Sequence, residues 1–159
     1  TISQRMEGPR CSASVTLDLR HMVDGDRCGL AAFNGHSGLL TIVRDGKSYK
    51  LVQSNTLVHL TDREKAITGV DEDVVEQVDL KRCKKIQLRI DGDFTPGKDI
   101  ATFYYKIGKG EWTPIGEPFK MQFDYRRLFM GTRYAIFNYA TKQAGGYVDV
   151  DSFDYSREE

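Results

Sequence analysis

The sequence predicts an all-β protein made of two packed antiparallel sheets. Short segments that alternate apolar and polar residues recur along the chain, and Gly and Asp pairs punctuate them at Asp24-Gly25, Asp45-Gly46, Asp91-Gly92 and Gly108 to Gly110. No stretch carries a convincing helical period. Roughly ten to twelve short strands of this kind fit a two-sheet sandwich. At 159 residues the chain, 1–159, reads as one domain large enough to bury a core without disulfides.

Taken in order, Ser12 to Leu19 places Ala13, Val15, Leu17 and Leu19 on one face and Ser14, Thr16 and Asp18 on the other, a half-buried strand. Asp24-Gly25 turns the chain into the apolar run Cys28 to Phe33. Asn34 to Gly38 turns it again, Leu39 to Arg44 runs extended, and after Asp45-Gly46 the strand Ser48 to Gln53 returns. Three hairpin signals in succession predict an antiparallel meander. Leu57 to Thr61 reads as a short strand. Asp62 to Asp79 is highly charged without clean alternation, so most of it is expected to be a long connection, with a short helix at Asp62 to Ala66 stopped by Thr68, Gly69 and Val70.

Lys84 to Asp91 turns Ile86, Leu88 and Ile90 inward, and Ile100 to Ile107 follows as the next strand. Gly108 to Gly110 then folds the chain into a hairpin with Glu111 to Ile115, which holds the single tryptophan, Trp112. The closing stretch, Gly131 to Tyr155, reads as two strands joined by the turn residues Thr141 to Gly146. Tyr134, Ile136 and Asn138 alternate with Ala135, Phe137 and Tyr139, and Val148, Val150 and Ser152 with Asp149, Asp151 and Phe153. A terminal hairpin is the expectation.

Composition excludes several function classes. Basic and acidic residues number 23 each and are interspersed, so neither a nucleic-acid groove nor an anionic membrane partner is expected. No apolar run approaches the roughly 20 residues that span a bilayer, and Thr1 to Arg10 lacks the apolar centre of a signal peptide. Thr1 is not an initiator Met, which suggests part of a longer product. A secreted or periplasmic location is favoured over a cytoplasmic one. Cys11, Cys28 and Cys83 are odd in number and widely spaced, which fits buried thiols in strands better than zinc ligands or a disulfide framework.

Candidate sites are few. Glycoside hydrolysis needs two carboxyl groups flanking the scissile bond, and no pair is nominated among acids that sit in turns or point outward. His21, His36 and His59 lie near separate turns with no nucleophile motif such as GxSxG beside them. Sugar binding needs flat aromatic faces flanked by polar groups, for which Trp112, Tyr104, Tyr105, Tyr134 and Tyr139 are available, Trp112 foremost for its Gly turn. Asp149 and Asp151, at i and i+2, are expected on one face of a strand, either solvated, paired with a base or bound to a hard cation. Tyr125 to Phe129 carries two arginines and two rings just before Gly131, a loop that presents Phe129 outward or anchors it in the core.

The closing stretch GTRYAIFNYATKQAGGYVDVDSFDY resembles the end of the β-sandwich domain that follows the catalytic domain in many family 43 glycoside hydrolases, the β-xylosidase and α-L-arabinofuranosidase group. The N-terminal part is similar to the same family at Gln4, Arg5, Gly8, Pro9, Cys11, Leu17, Asp18, Met22, Asp24 to Asp26 and Gly29 to Phe33. The middle matches more loosely, and an aromatic-rich opening strand usual in the family is not in the sequence. The resemblance implies a concanavalin A-like jelly roll, the C-terminal part of a longer glycoside hydrolase, with the catalytic carboxylates in an upstream β-propeller domain. The chain alone is then expected to hydrolyse nothing. Its partners would be that catalytic domain and a xylo- or arabinoxylo-oligosaccharide. The resemblance also implies a structural Ca2+ near the last strand, with Asp151 and then Asp149 as ligands, and a loop carrying Phe129 that helps wall the substrate pocket. An autonomous carbohydrate-binding module and a lectin-like or adhesion protein remain the alternatives.

Overall fold

A computed structural model describes residues 2–34, 36–60, 67–121 and 132–158, the side chains of 58–60 and 67–71 excepted. These residues form twelve strands in two six-stranded antiparallel sheets, and no helix occurs among them. One sheet, A, has the order β1 (Ile2–Arg5), β11 (Arg133–Tyr139), β3 (Arg27–Phe33), β4 (His36–Asp45), β5 (Ser48–Leu60), β6 (Ile67–Lys81). The other, B, runs β10 (Phe119–Lys120), β8 (Ile100–Lys106), β7 (Lys85–Asp93), β2 (Arg10–Asp18), β12 (Asp149–Arg157), with β9 (Thr113–Pro114) paired to β8.

The alternation read from the sequence fixes which faces meet. Ala13, Val15 and Leu17 of β2 and Ile86, Leu88 and Ile90 of β7 are buried against Leu30, Leu40, Ile42 and Leu51 of sheet A, while Ser12, Ser14 and Thr16 face out. Burying each Val, Leu or Ile side chain among them is worth about 1.5–3 kcal/mol. Phe103 and Phe119 close the core at the β8/β10 side, their rings 6.5 Å apart, and Tyr134 meets Tyr155 edge-on at 6.1 Å across the β11/β12 side.

Three expectations need correction. The charged stretch expected as a connection is the fifteen-residue edge strand β6. Its pairing with β5 shifts register at Tyr49/Lys50, Gln53/Ser54 and His59/Leu60, and each shift resets which face a residue occupies, so no clean alternation survives in the sequence. Charge suits an edge strand, because it discourages pairing with other chains. The helix expected at Asp62 to Ala66 lies outside the described residues. The closing segment is not a hairpin: β11 lies between β1 and β3 in sheet A, whereas β12 is the edge of sheet B beside β2. Asp24-Gly25 likewise crosses between sheets, from β2 to β3, so the meander begins only at β3.

The two crossovers are fastened to each other. Thr141 Oγ1 donates to the Gly25 carbonyl at 2.6 Å, Lys142 Nζ reaches Asp24 Oδ2 at 3.0 Å, and the His21 ring stacks on Tyr147 at 4.5 Å. Gly146 permits this approach, since a Cβ there would stand 2.0 Å from Asp26 Oδ2. Turn residues signal that the chain reverses, not which sheet it joins; here they serve a sandwich crossover.

Candidate functional site

The outer face of sheet B gathers the polar chemistry. Cross-strand register lines up Ser156, Ser12, Asp91 and Thr102 in one row over β12, β2, β7 and β8. Beside it run Asp154, Ser14, Arg89 and Tyr104, then Ser152, Thr16, Gln87 and Lys106. A cleft of about 620 Å3 opens over the first row, walled by Arg10, Lys98, Pro118 and Arg157.

Arg89 organises this face. Its Nε and Nη2 donate to Asp91 Oδ1 and Oδ2 at 2.7 and 2.6 Å, and Ser12 Oγ donates to the same Oδ1 at 2.6 Å. The guanidinium carbon stands 5.1 Å from the Tyr104 ring centre and 5.6 Å from that of Trp112, with Lys106 Nζ 5.1 Å from the latter. Two of the rings singled out from sequence thus meet through a cation. The Arg89–Asp91 pair gave no separate signal, because charges alternating outward on a strand look like any solvated face; only the register shows what they hold.

The cleft's charges are internally balanced. Arg10 approaches Asp93 at 3.5 Å and Glu158 at 3.6 Å, Lys98 approaches Asp93 at 3.5 Å, and Arg157 pairs with Glu7. Asp93 is pulled down to about 2 by the Thr95 hydroxyl and amide that donate to it, then by Lys98 and Arg10. A general acid of a glycosidase needs the opposite shift.

The other rings lie elsewhere. Tyr134 is buried and shares a bond with the Cys11 thiol at 3.3 Å, and Tyr105 packs half-buried against the core, so neither offers a platform. Tyr139 stands on the outer face of sheet A beside Phe137, ring centres 6.2 Å apart. Phe129 falls outside the described residues. The His36 ring packs on Phe119 at 4.6 Å, and the His59 side chain is outside the described ones. All three cysteines are free; burial pushes the Cys28 thiol up to about 12.

Of the three states left open for Asp149 and Asp151, the structure shows Asp151 paired with a base. Register with β2 shifts between Val150 and Ser152, which makes Asp151 a bulge residue. Its Oδ2 takes Lys85 Nζ at 2.8 Å, and Arg20, which grips buried Asp18 through Nε at 2.9 and 3.0 Å, carries its charge toward both Asp149 and Asp151. Calcium takes about six to eight oxygens and tolerates no ammonium among them. Among the described residues no three His, Cys, Asp or Glu side chains converge to hold a metal, so this donor set does not fit the ion. Melting temperatures in calcium and in chelator should therefore coincide; a rise with calcium that vanishes in Asp151→Asn would show that the ion binds.

Sheet A presents a different outer face. Ala135, Ala31, Leu39 and Ser54 follow one another over β11, β3, β4 and β5, beside Phe137, Gly29, Thr41 and Val52. Phe33, Tyr139 and Val74 stand 45%, 50% and 51% exposed on it, rimmed by Arg27, Lys50 and Arg133. A smaller cleft of about 420 Å3 lies there, lined by Arg27, Val43, Lys50, Val52 and Val74 among others.

Comparison with known proteins matches residues 1–156 to the family described as the β-xylosidase C-terminal concanavalin A-like domain. A bifunctional GH43-CE protein of Bacteroides eggerthii is similar in structure, with a TM-score of 0.82 and 35% identity over 99% of this chain and 19% of that one. A GH43 glycoside hydrolase engineered to display both endo-xylanase and exo-arabinofuranosidase activity superposes with a TM-score of 0.84 and 29% identity, over 97% of this chain and 30% of that one. Xylan β-1,4-xylosidase of Bacillus halodurans C-125 shares the fold at 18% identity and a TM-score of 0.72, over 96% of this chain and 28% of that one. No curated protein matches. The chain thus spans less than a third of the length of each of these structures.

Proposed function

The chain belongs to the family of β-xylosidase C-terminal concanavalin A-like domains, found in GH43 enzymes, and from that membership we propose that it is the non-catalytic accessory domain of a glycoside hydrolase acting on xylan or arabinoxylan. Its work in this reading is to dock on the catalytic domain of the same polypeptide and to shape the mouth of the active site. The observation that carries the reading is the family match over residues 1–156 together with neighbours in which such a domain is 19–30% of a longer GH43 chain. In the cleft, both oxygens of Asp91 are taken by Arg89 and Asp93 is held ionised, so Asp93 is not poised as a general acid.

Docking is assigned to the outer face of sheet A. Half-exposed Phe33 and Tyr139 offer ring area to another surface there. A sheet face that only met water would carry more charge at these positions. Phe129 is assigned to the wall of the substrate pocket.

Tyr139→Asp, examined in the full-length polypeptide, tests this. It should uncouple the melting of the accessory and catalytic domains and lower kcat/KM, while moving the melting temperature of the isolated chain by only a degree or two, as a surface change of about 0.5 kcal/mol would. Equal coupling and activity in the full-length variant would remove the sheet A assignment.

A further inference from the structure

We propose that the smaller cleft, on the outer face of sheet A, receives a carboxylate side chain of the catalytic domain, with Arg27 as the group that grips it. The inference rests on the docking reading given above and names the chemistry of the partner surface at that face.

Register sets Arg27 in the row Tyr139, Arg27, Val43 and Lys50 across β11, β3, β4 and β5. On the β11 side the Phe137 ring reaches over Gly29, two residues along β3, and Tyr139 stacks beside Phe137 at 6.2 Å. On the other side stand Val43, Val52 and Val74. The cleft thus has apolar walls with a guanidinium between them.

Four cations, Arg27, Arg44, Lys50 and Lys142, line this cleft against two acids, Asp45 and Glu72. Three of the cations are occupied. Lys142 Nζ holds Asp24 at 3.0 Å and Lys50 Nζ approaches Asp45 at 3.6 Å. Arg44 donates to the Gly46 and Met22 carbonyls, and its guanidinium carbon lies 5.6 Å from the Tyr49 ring centre. Arg27 differs: its Nε is buried, and no acceptor among the described residues takes it. A buried donor without an acceptor destabilises the chain that carries it, and an acceptor arriving with a partner removes that penalty.

The chemistry of the cleft selects the acceptor. Nε and the neighbouring Nη of a guanidinium form a fork that matches both oxygens of a carboxylate. The surplus of cations in the wall favours an anion over a carbonyl or a hydroxyl, and the valines suit the methylene stem of Asp or Glu. Tyr and Arg side by side are the residue types that carry most energy at protein interfaces once water is excluded. Because the cleft adjoins Tyr139 on the face assigned to docking, the anion is assigned to the catalytic domain and not to an acidic sugar.

The full-length polypeptide carrying Arg27→Lys, treated with a carbodiimide and mapped by mass spectrometry, is the test. The reagent joins an amine to a carboxylate in contact with it, so the expected product is an amide between position 27 and an Asp or Glu of the catalytic domain, absent from the parent. A second variant, Arg27→Gln, should lose the joint melting of the two domains and about tenfold in kcat/KM. The melting temperature of the 159-residue chain should not fall with it, because Arg27 has no partner there to strand. No amide at position 27, an amide only to Glu72 or Asp45, joint melting that survives Arg27→Gln, or an isolated chain destabilised by it would each overturn the proposal. So would heat from glucuronate titrated into the full-length polypeptide and lost in Arg27→Gln, since a site already filled by a side chain would not take it. Should Tyr139→Asp uncouple the domains while Arg27→Gln does not, the carboxylate site alone is lost and the docking face stands; failure of both would remove the docking face as well.

Discussion

Gly29→Ala should abolish the cooperative unfolding transition. A methyl group on Gly29 would stand 1.8 Å from the Leu40 carbonyl oxygen and 3.1 Å from the Phe137 ring. The first contact is with the backbone of a neighbouring strand, and β3 is flanked on both sides, by β11 and β4, so no strand can retreat without breaking a ladder. The expected loss exceeds about 4 kcal/mol, the range reserved for gross steric faults, out of the 5–15 kcal/mol typical of a whole domain. Urea titration followed by circular dichroism measures it. A midpoint within a few tenths molar of the parent would mean that the three strands are not packed this closely.

Phe103→Ala should cost about 3–5 kcal/mol, the range for deleting a buried aromatic ring. Phe103 is buried, packs on Phe119 and lies where a Cβ on Gly38 would come within 2.6 Å of its ring. It also sits one residue before Tyr104, so the strand that carries the aromatic end of the sheet B face is anchored by it. The denaturation midpoint should fall at unchanged slope, and Phe103→Leu should recover part of the loss. A cost below about 1 kcal/mol would place the ring outside the core.

How much of this was legible in the sequence differs by element. Strands β2 and β7 bury one face each and sit in the interior of a sheet, so their period of two is undisturbed and their inward residues read directly from Ala13, Val15, Leu17 and Ile86, Leu88, Ile90. Strand β6 was hidden because three register shifts scramble its faces. The link from Tyr139 to Asp149 misread as a hairpin because Gly145 and Gly146 mark a reversal equally well within a sheet or between sheets. The two-sheet sandwich was legible from the alternation and the Gly and Asp turns; the family resemblance of both ends of the chain added the concanavalin A-like type, and the match over residues 1–156 bears out that membership.

For the candidate site, Tyr104 and Trp112 were visible as rings near a turn, but Arg89, Asp91 and Ser12 were not. They come together only through cross-strand partners far apart in sequence, Ser12 with Asp91 and Asp91 with Thr102. The contact of Lys85 with Asp151 was hidden for a related reason: the lysine reaches it from another strand, and no local pattern announces that.

The central claim is that this chain serves a glycosidase without being one. Hydrolysis of p-nitrophenyl xyloside and arabinofuranoside, measured side by side for the 159-residue chain and for the polypeptide encoded by the whole gene, tests it most directly. Turnover by the whole polypeptide and none by the chain is the result expected; turnover that survives repurification and scales with the chain's own concentration, or a whole polypeptide inert on every xylan-derived substrate, would contradict it.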